Sequence, residues 1–130
     1  MRNSIIVLAA SMLTASCASM TTSYSEVTGD RFNLTVMDRR AVDIVSVGSA
    51  SGWAGGAPVQ VEPGKHRIVI SSPRHGGFRG TTVDFELDIA PCTRYYVNAQ
   101  FANPLSPQFV PVVDHEERIS GCVWPRPPRA

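Results

Sequence analysis

Apolar and polar residues alternate along much of the chain after residue 30, and the alternation is clearest at residues 82–89. A period of two residues is typical of a half-buried antiparallel strand, which we predict here. The opposite face carries acidic side chains at positions 84, 86 and 88, which we interpret as solvated and as discouraging pairing at a sheet edge. A calcium site is the alternative, but the clustered oxygen ligands of a calcium loop are missing. The inward-facing residues of this strand are predicted to be Val83, Phe85, Leu87 and Ile89.

Similar alternation predicts further strands before and after this segment. In the last of them Pro111 has no N–H to donate to a ladder, which indicates an edge strand or a bulge. The leader aside, no stretch has the 3.6-residue periodicity of a globular helix. The predicted strands cover residues 32–36, 42–47, 66–71, 95–101 and 109–119.

Turn residues separate these strands. Residues 62–65 (Glu-Pro-Gly-Lys) are typical of a turn in which Pro63 fixes the first corner and Gly64 takes a positive φ, so we expect two strands to fold back across it. Residues 72–80 predict a longer, mobile hairpin loop, and residues 103–107 predict another break. The sequence therefore predicts an all-β fold, an antiparallel β-sandwich of six to eight strands over residues 31–122.

The first residues have the pattern of an export signal. Arg2 gives one positive charge, and residues 5–13 form an apolar run that is too short to span a bilayer. Small residues then precede Cys17, and residues 13–18 (LTASCA) resemble the lipobox of bacterial lipoprotein precursors. Thr14 departs from that family, in which leucine is commonest at this position. An ordinary secretory signal cut near Ala18 is the alternative, and both interpretations export the protein.

The lipobox resemblance implies a signal peptide over residues 1–16, cleaved before a Cys17 that carries acyl chains. Several chains on one terminus are enough for stable membrane anchoring without a spanning helix. Ala18 in place of aspartate after the cysteine implies the outer membrane, with the domain facing the periplasm. Residues 17–30 are polar and without periodicity, so we expect a flexible tether there.

The three cysteines have two predicted roles, lipid attachment for one and a disulfide for the other two. If Cys17 carries lipid, Cys92 and Cys122 remain, and in an oxidising compartment we predict that they form a disulfide. A redox or metal-binding thiol pair is disfavoured, because it needs closer spacing or further soft ligands.

Charge and composition exclude some partners. The chain has 12 Lys+Arg and 11 Asp+Glu among 130 residues, so it lacks the concentrated basic surface that nucleic-acid binding requires. The length fits one small domain. Residues 123–130 are proline-rich, which predicts an extended tail.

The central part of the chain resembles a known class of module. Residues 59–70, in which a strand reaches a Pro-Gly turn and returns as an alternating strand, resemble the PEGA-type and carboxypeptidase-regulatory-like β-sandwiches of bacterial surface proteins. Residues 92–100 with the strand at 110–113 look like small proteobacterial lipoproteins. This resemblance implies a transthyretin-like or immunoglobulin-like sandwich that binds or spaces partners without catalytic residues of its own.

The candidate chemistry is sparse. The histidines at positions 66, 75 and 115 lie in separate segments, so we predict no metal site and no cofactor. No nucleophile-elbow or phosphate-cradling motif occurs, which disfavours an enzyme. Four residues could bind a ligand, by stacking on a sugar or by pairing guanidinium groups with phosphate or carboxylate. These are Trp53, Arg74, Phe78 and Arg79.

We therefore predict a non-catalytic, membrane-anchored cell-envelope module whose partner is an envelope protein or glycan. The alternative hypothesis is a lipoprotein that binds a small ligand or glycan through Trp53 and the loop from Arg74 to Arg79.

Overall fold

A computed structural model describes residues 22–52, 57–73, 77, 79–126 and 128. These residues form nine β-strands and no helix, and within them nothing is long and apolar enough to cross a membrane as a helix. The strands are β1 (Ser25–Thr28), β2 (Arg39–Ala41), β3 (Asp43–Val47), β4 (Ala50–Ser51), β5 (Val59–Val61), β6 (Gly64–Ser71), β7 (Thr82–Ile89), β8 (Thr93–Phe101) and β9 (Phe109–Arg118).

The strands form two sheets, as predicted for an all-β fold. One sheet has four strands in the order β4-β3-β6-β7. In the other sheet, β9 pairs along the whole of β8, whereas β1 and β2 pair with different parts of β8, and β5 pairs with β1. Buried residues of both sheets form one core, an arrangement consistent with a β-sandwich. The largest fully buried side chains include Phe101, Ile68, Ile70 and Ile89.

Five of the predicted strands are confirmed with small shifts of their ends: β3, β6, β7, β8 and β9. Pro111 lies in β9, which pairs only with β8 among the described residues and is thus an edge strand, as predicted. The predicted hairpin across residues 72–80 is present, since β6 pairs antiparallel with β7, and the predicted break at 103–107 connects β8 to β9, which also pair antiparallel. The strand count exceeds the expected six to eight because β2, β4 and β5 have only two or three residues, too few to show a period.

The predicted strand at 32–36 is wrong, because these residues form turns. Arg31 Nη2 donates to the carbonyls of Asn33 (3.0 Å) and Val36 (3.1 Å), which closes the chain on itself. Leu34 is 72% exposed, so its place in the alternation does not correspond to burial.

The predicted tether is wrong for part of residues 17–30, because β1 lies within it. Ser25 and Val27 are fully buried, and Thr28 nearly so. Strand β1 runs parallel to β8, so the sheet is not purely antiparallel as expected. Parallel neighbours require a long connection, which the chain between β1 and β8 supplies.

The turn at 62–65 does not join a paired hairpin. Gly64 has the expected positive φ of 129°, but β5 pairs with β1 in one sheet while β6 pairs with β3 and β7 in the other. The turn therefore crosses between the sheets, because both sides of β6 are already occupied.

The registers define two ends of the molecule. One end, which we call the disulfide pole, contains the start of β1 and four connecting segments. These segments are residues 22–24, 62–65, 90–92 and 119–126. At the other end, the loop pole, residues 72–81 connect β6 to β7 and residues 102–108 connect β8 to β9.

Candidate functional site

Most of the residues that the sequence singles out for binding or modification lie outside the described residues. This applies to Cys17, the predicted lipid attachment, and to Trp53, Arg74 and Phe78. Arg79 is described: it is exposed at the loop pole and makes no hydrogen bond or ion pair within the described part of the chain.

The predicted Cys92–Cys122 disulfide is present in the structure. Both cysteines are buried, and the bond joins the turn after β7 to the segment after β9. Two backbone hydrogen bonds accompany it: Ile119 N–H donates to the carbonyl of Cys92 at 2.9 Å, and Val123 N–H donates to that of Thr22 at 2.9 Å. The disulfide therefore fixes the chain after β9 beside the chain that enters β1.

A buried serine fixes the neighbouring turn. Ser25 Oγ donates to the carbonyl of Ala90 at 2.6 Å and accepts from the N–H of Thr93 at 3.3 Å. The N–H of Ala90 donates to the hydroxyl of Tyr95 at 2.8 Å. The buried side chains of Ser25 and Tyr95 thus supply partners for backbone groups of the turn that make no ladder bond.

The C-terminal segment crosses the start of β1 at the same pole. Arg126 Nε donates to Ser23 Oγ at 3.2 Å, and its guanidinium lies 4.7 Å from the ring centroid of Tyr24. Its Nη2 is 3.7 Å from a carboxylate oxygen of Glu62. Residues 123–126 of the predicted extended tail are therefore held against the domain.

A charged network covers the outer face of the five-stranded sheet. Arg94 donates from Nε to Glu26 at 2.7 Å and from Nη1 to Glu117 at 2.8 Å, and the hydroxyl of Tyr96 donates to the same Glu117 oxygen at 2.8 Å. The hydrogen bonds to Glu26 and then to Glu117 raise the pKa of Arg94. The bonds from Tyr96 and then from Arg94 lower the pKa of Glu117.

A second polar cluster lies beside it on β9. Asp114 occupies a bulge in β9 and accepts from Arg39 and from the backbone N–H of Asn33, the latter at 2.8 Å. Burial acts to raise the pKa of Asp114, but the hydrogen bonds from Asn33 and Arg39 outweigh it, so the pKa is lowered. Phe32 stacks on His115 with ring centroids 3.6 Å apart. These contacts hold the 30–38 segment on the sheet.

The charged groups of the two clusters form ion pairs: Arg94 with Glu26 and Glu117, and Arg39 with Asp114. No group of three metal-ligating residues occurs among the residues that the structure describes. His66 and His115 belong to different sheets, and His75 lies outside the described residues. His66 Nε2 lies 2.8 Å from the carbonyl of Glu62.

Two cavities lie along the side of the molecule where β4 and β5 form the sheet edges. The larger, of 360 Å³, is lined by small residues together with Ser51 and Gln60. The smaller, of 240 Å³, adds polar groups from Tyr24, Glu62 and His66. The larger lies beside Ser51 and Ala57, close to both ends of the segment that contains Trp53.

Sequence reasoning missed the charged network and the Asp114 cluster. The alternation of 95–101 places Tyr96 and Gln100 on a polar face, but the partners of that face come from β1 and β9, whose registers the pattern does not specify. In comparisons with known proteins, no protein-family model, no curated protein and no solved structure matches this chain.

Proposed function

We propose that this chain is a lipid-anchored, non-catalytic module of the bacterial cell envelope. In this proposal residues 1–16 are a cleaved signal peptide, Cys17 carries the acyl chains, and the domain faces the periplasm from the outer membrane. Its partner is an envelope protein or glycan. The leader pattern and the disulfide support export to an oxidising compartment.

The observation that carries the proposal is the place where the chain enters the fold. Thr22 already pairs with Cys122 at the disulfide pole, five residues after Cys17 (22 − 17 = 5). A chain of that length reaches at most about 18 Å. A lipid on Cys17 would hold the disulfide pole close to the membrane and leave the loop pole, with exposed Arg79 and Leu105, accessible to partners.

The finer assignment of the fold is also a proposal. We infer a PEGA-type sandwich from the order of β5, the Pro63-Gly64 turn and the alternating β6. The parallel pairing of β1 with β8 can be compared with the strand pairing in PEGA-type modules.

A second candidate function is the binding of a small ligand or glycan. The 360 Å³ cavity favours it, because that volume falls within the range of ligand pockets and Ser51 and Gln60 offer hydrogen-bonding groups. Substitution of Trp53 and Arg79 together by alanine tests it: unchanged binding of envelope glycans would exclude these residues as the site.

The intact mass of the native protein, extracted in detergent and measured before and after reduction, tests the first proposal. We expect residues 17–130 plus acyl chains, with a gain of about two daltons on reduction of one disulfide. The matched Cys17→Ser variant should lose the acyl mass and leave the membrane fraction. An unacylated native mass beginning near Ser19 would overturn the lipid anchor.

A further inference from the structure

Strand β7 presents a long unpaired edge. It ends the four-stranded sheet, and among the described residues it pairs only with β6. Its eight residues keep an unbroken register with β6 from Thr82 to Ile89, without proline or bulge. Every second residue of such a strand points its N–H and C=O away from the sheet, which leaves a template for one more strand.

The other edges of the two sheets lack this property. Strand β9 is long, but Pro111 removes a donor and the bulge at Asp114 interrupts its register. Strands β2, β4 and β5 have only two or three residues. Within the described chain, β7 is therefore the edge best suited to accept an extended segment.

The side chains of β7 define what that segment must carry. On the inner side Val83, Phe85 and Leu87 pack against the core but remain partly exposed. An added strand with apolar residues at alternate positions would cover them, as cross-strand neighbours do in a sheet.

On the outer side β7 carries three exposed carboxylates, and β6 neutralises two of them. Arg67 lies 2.6 Å from Asp84, and Lys65 lies 3.4 Å from Glu86. Asp88 makes no ion pair within the described residues, which leaves one excess negative charge on the two strands (3 − 2 = 1). A strand on the free side of β7 with basic residues at alternate positions would repeat the complementarity that β6 already provides.

We propose that the free edge of β7 binds an extended segment of another protein in which lysine or arginine alternates with apolar residues. Pairing between the β7 strands of two copies is disfavoured, because carboxylates would face carboxylates. The carboxylates of Asp84, Glu86 and Asp88 thus repel a second copy and select a basic strand. This inference rests on the proposed role as an interaction module, but it does not require the lipid on Cys17.

Amide hydrogen exchange of the full, oxidised chain tests this proposal, with an eight-residue peptide of alternating valine and lysine as the probe. We expect slower exchange of β7 amides when the peptide is bound. A peptide with aspartate in place of lysine should give no protection, and N-methylation of alternate residues of the lysine peptide should abolish it, because strand addition requires backbone donors.

Two matched variants, each removing one exposed carboxylate, separate specific pairing from general charge attraction. Asp88→Asn should weaken peptide binding roughly twofold to fivefold, as expected for one exposed charge pair. Asp43→Asn removes an exposed carboxylate of the same sheet on β3 and should leave binding unchanged. Equal weakening by both variants, or the absence of β7 protection, would overturn the proposal.

Failure of this experiment leaves the anchor proposal intact, because the mass of the native protein tests that separately. Sedimentation of the protein alone completes the test. A monomer agrees with the proposal, and a dimer in which the β7 amides are protected from exchange would assign the edge to a second copy instead.

Discussion

The disulfide pole and the loop pole differ in how their connections are held. At the disulfide pole the connections are fixed by a covalent bond, by the buried Ser25 and by the contacts of Arg126. Among the described residues of the loop pole, the N–H of Ser106 donates to the carbonyl of Asn103 in the same loop at 3.2 Å, and Leu105 is 75% exposed. The stabilising contacts and the accessible side chains therefore lie at opposite ends of one small domain.

Removal of the disulfide should have the largest effect on this contrast. Cys92→Ala with Cys122→Ala opens a crosslink between residues 30 apart in sequence and should lower the free energy of unfolding by about 3–4 kcal/mol. Urea unfolding of the variant and of the oxidised and reduced natural chain measures it. Cys92 has a positive φ of 52°, so Cys92→Gly in the same background should recover part of the loss. Equal stability of all these forms would contradict the assigned role of the bond.

The next largest effect is expected at Ser25. Ser25→Ala leaves the carbonyl of Ala90 and the N–H of Thr93 without their buried partner, which should cost about 1–3 kcal/mol in the free energy of unfolding. Ser51→Ala, at an exposed position, is the matched control and should be near neutral. If both variants unfold at the same urea concentration, the Ser25 hydrogen bonds do not stabilise the pole.

Acid should weaken the region between the poles through Asp114. Its pKa in the folded chain is below the ordinary 3.8, so its contribution is present above that pH and is lost as the pH falls through the folded-state value. The free energy of unfolding should therefore fall as the pH drops below about 4, at less than about 1.4 kcal/mol per pH unit for this one group. Asp114→Asn should flatten this dependence, whereas Asp43→Asn should not.

The smallest effects are expected at the loop pole. Arg79→Ala and Leu105→Ser change exposed side chains and should alter the free energy of unfolding by no more than about 0.5 kcal/mol. Thermal unfolding of the two variants measures this directly. A loss comparable with that of Ser25→Ala would remove the distinction between the poles.

The sequence predicts the long strands well and the short or unpaired ones poorly, for a physical reason. Strands β6 to β9 have eight or more residues, which is long enough for the alternation of their side chains to produce a period that can be read. Residues 32–36 show the same alternation without burial, because side-chain hydrogen bonds from Arg31 turn the chain there. The pattern of apolar residues does not predict β1, because Ser25 and Thr28 are polar yet buried.

The disulfide could be predicted because the prediction needs only the number of cysteines and the inference that the compartment is oxidising. The network of Glu26, Arg94 and Glu117 could not, because it joins three strands whose registers depend on tertiary packing. The unpaired edge of β7 likewise follows from strand order, since the alternation of residues 82–89 alone does not say which strands lie beside it.

The position of β1 also determines how the domain would respond to mechanical force. Strand β1 lies between β8 and β5. A force that pulls on the chain before Thr22 along the direction of β1 loads the hydrogen bonds on both of its sides in shear. These bonds then resist together instead of breaking one at a time. The parallel bridge of Thr22 with Cys122 passes part of that load to the disulfide before it reaches the core. Tension applied at the N-terminal end would therefore meet two ladders and a covalent bond at once.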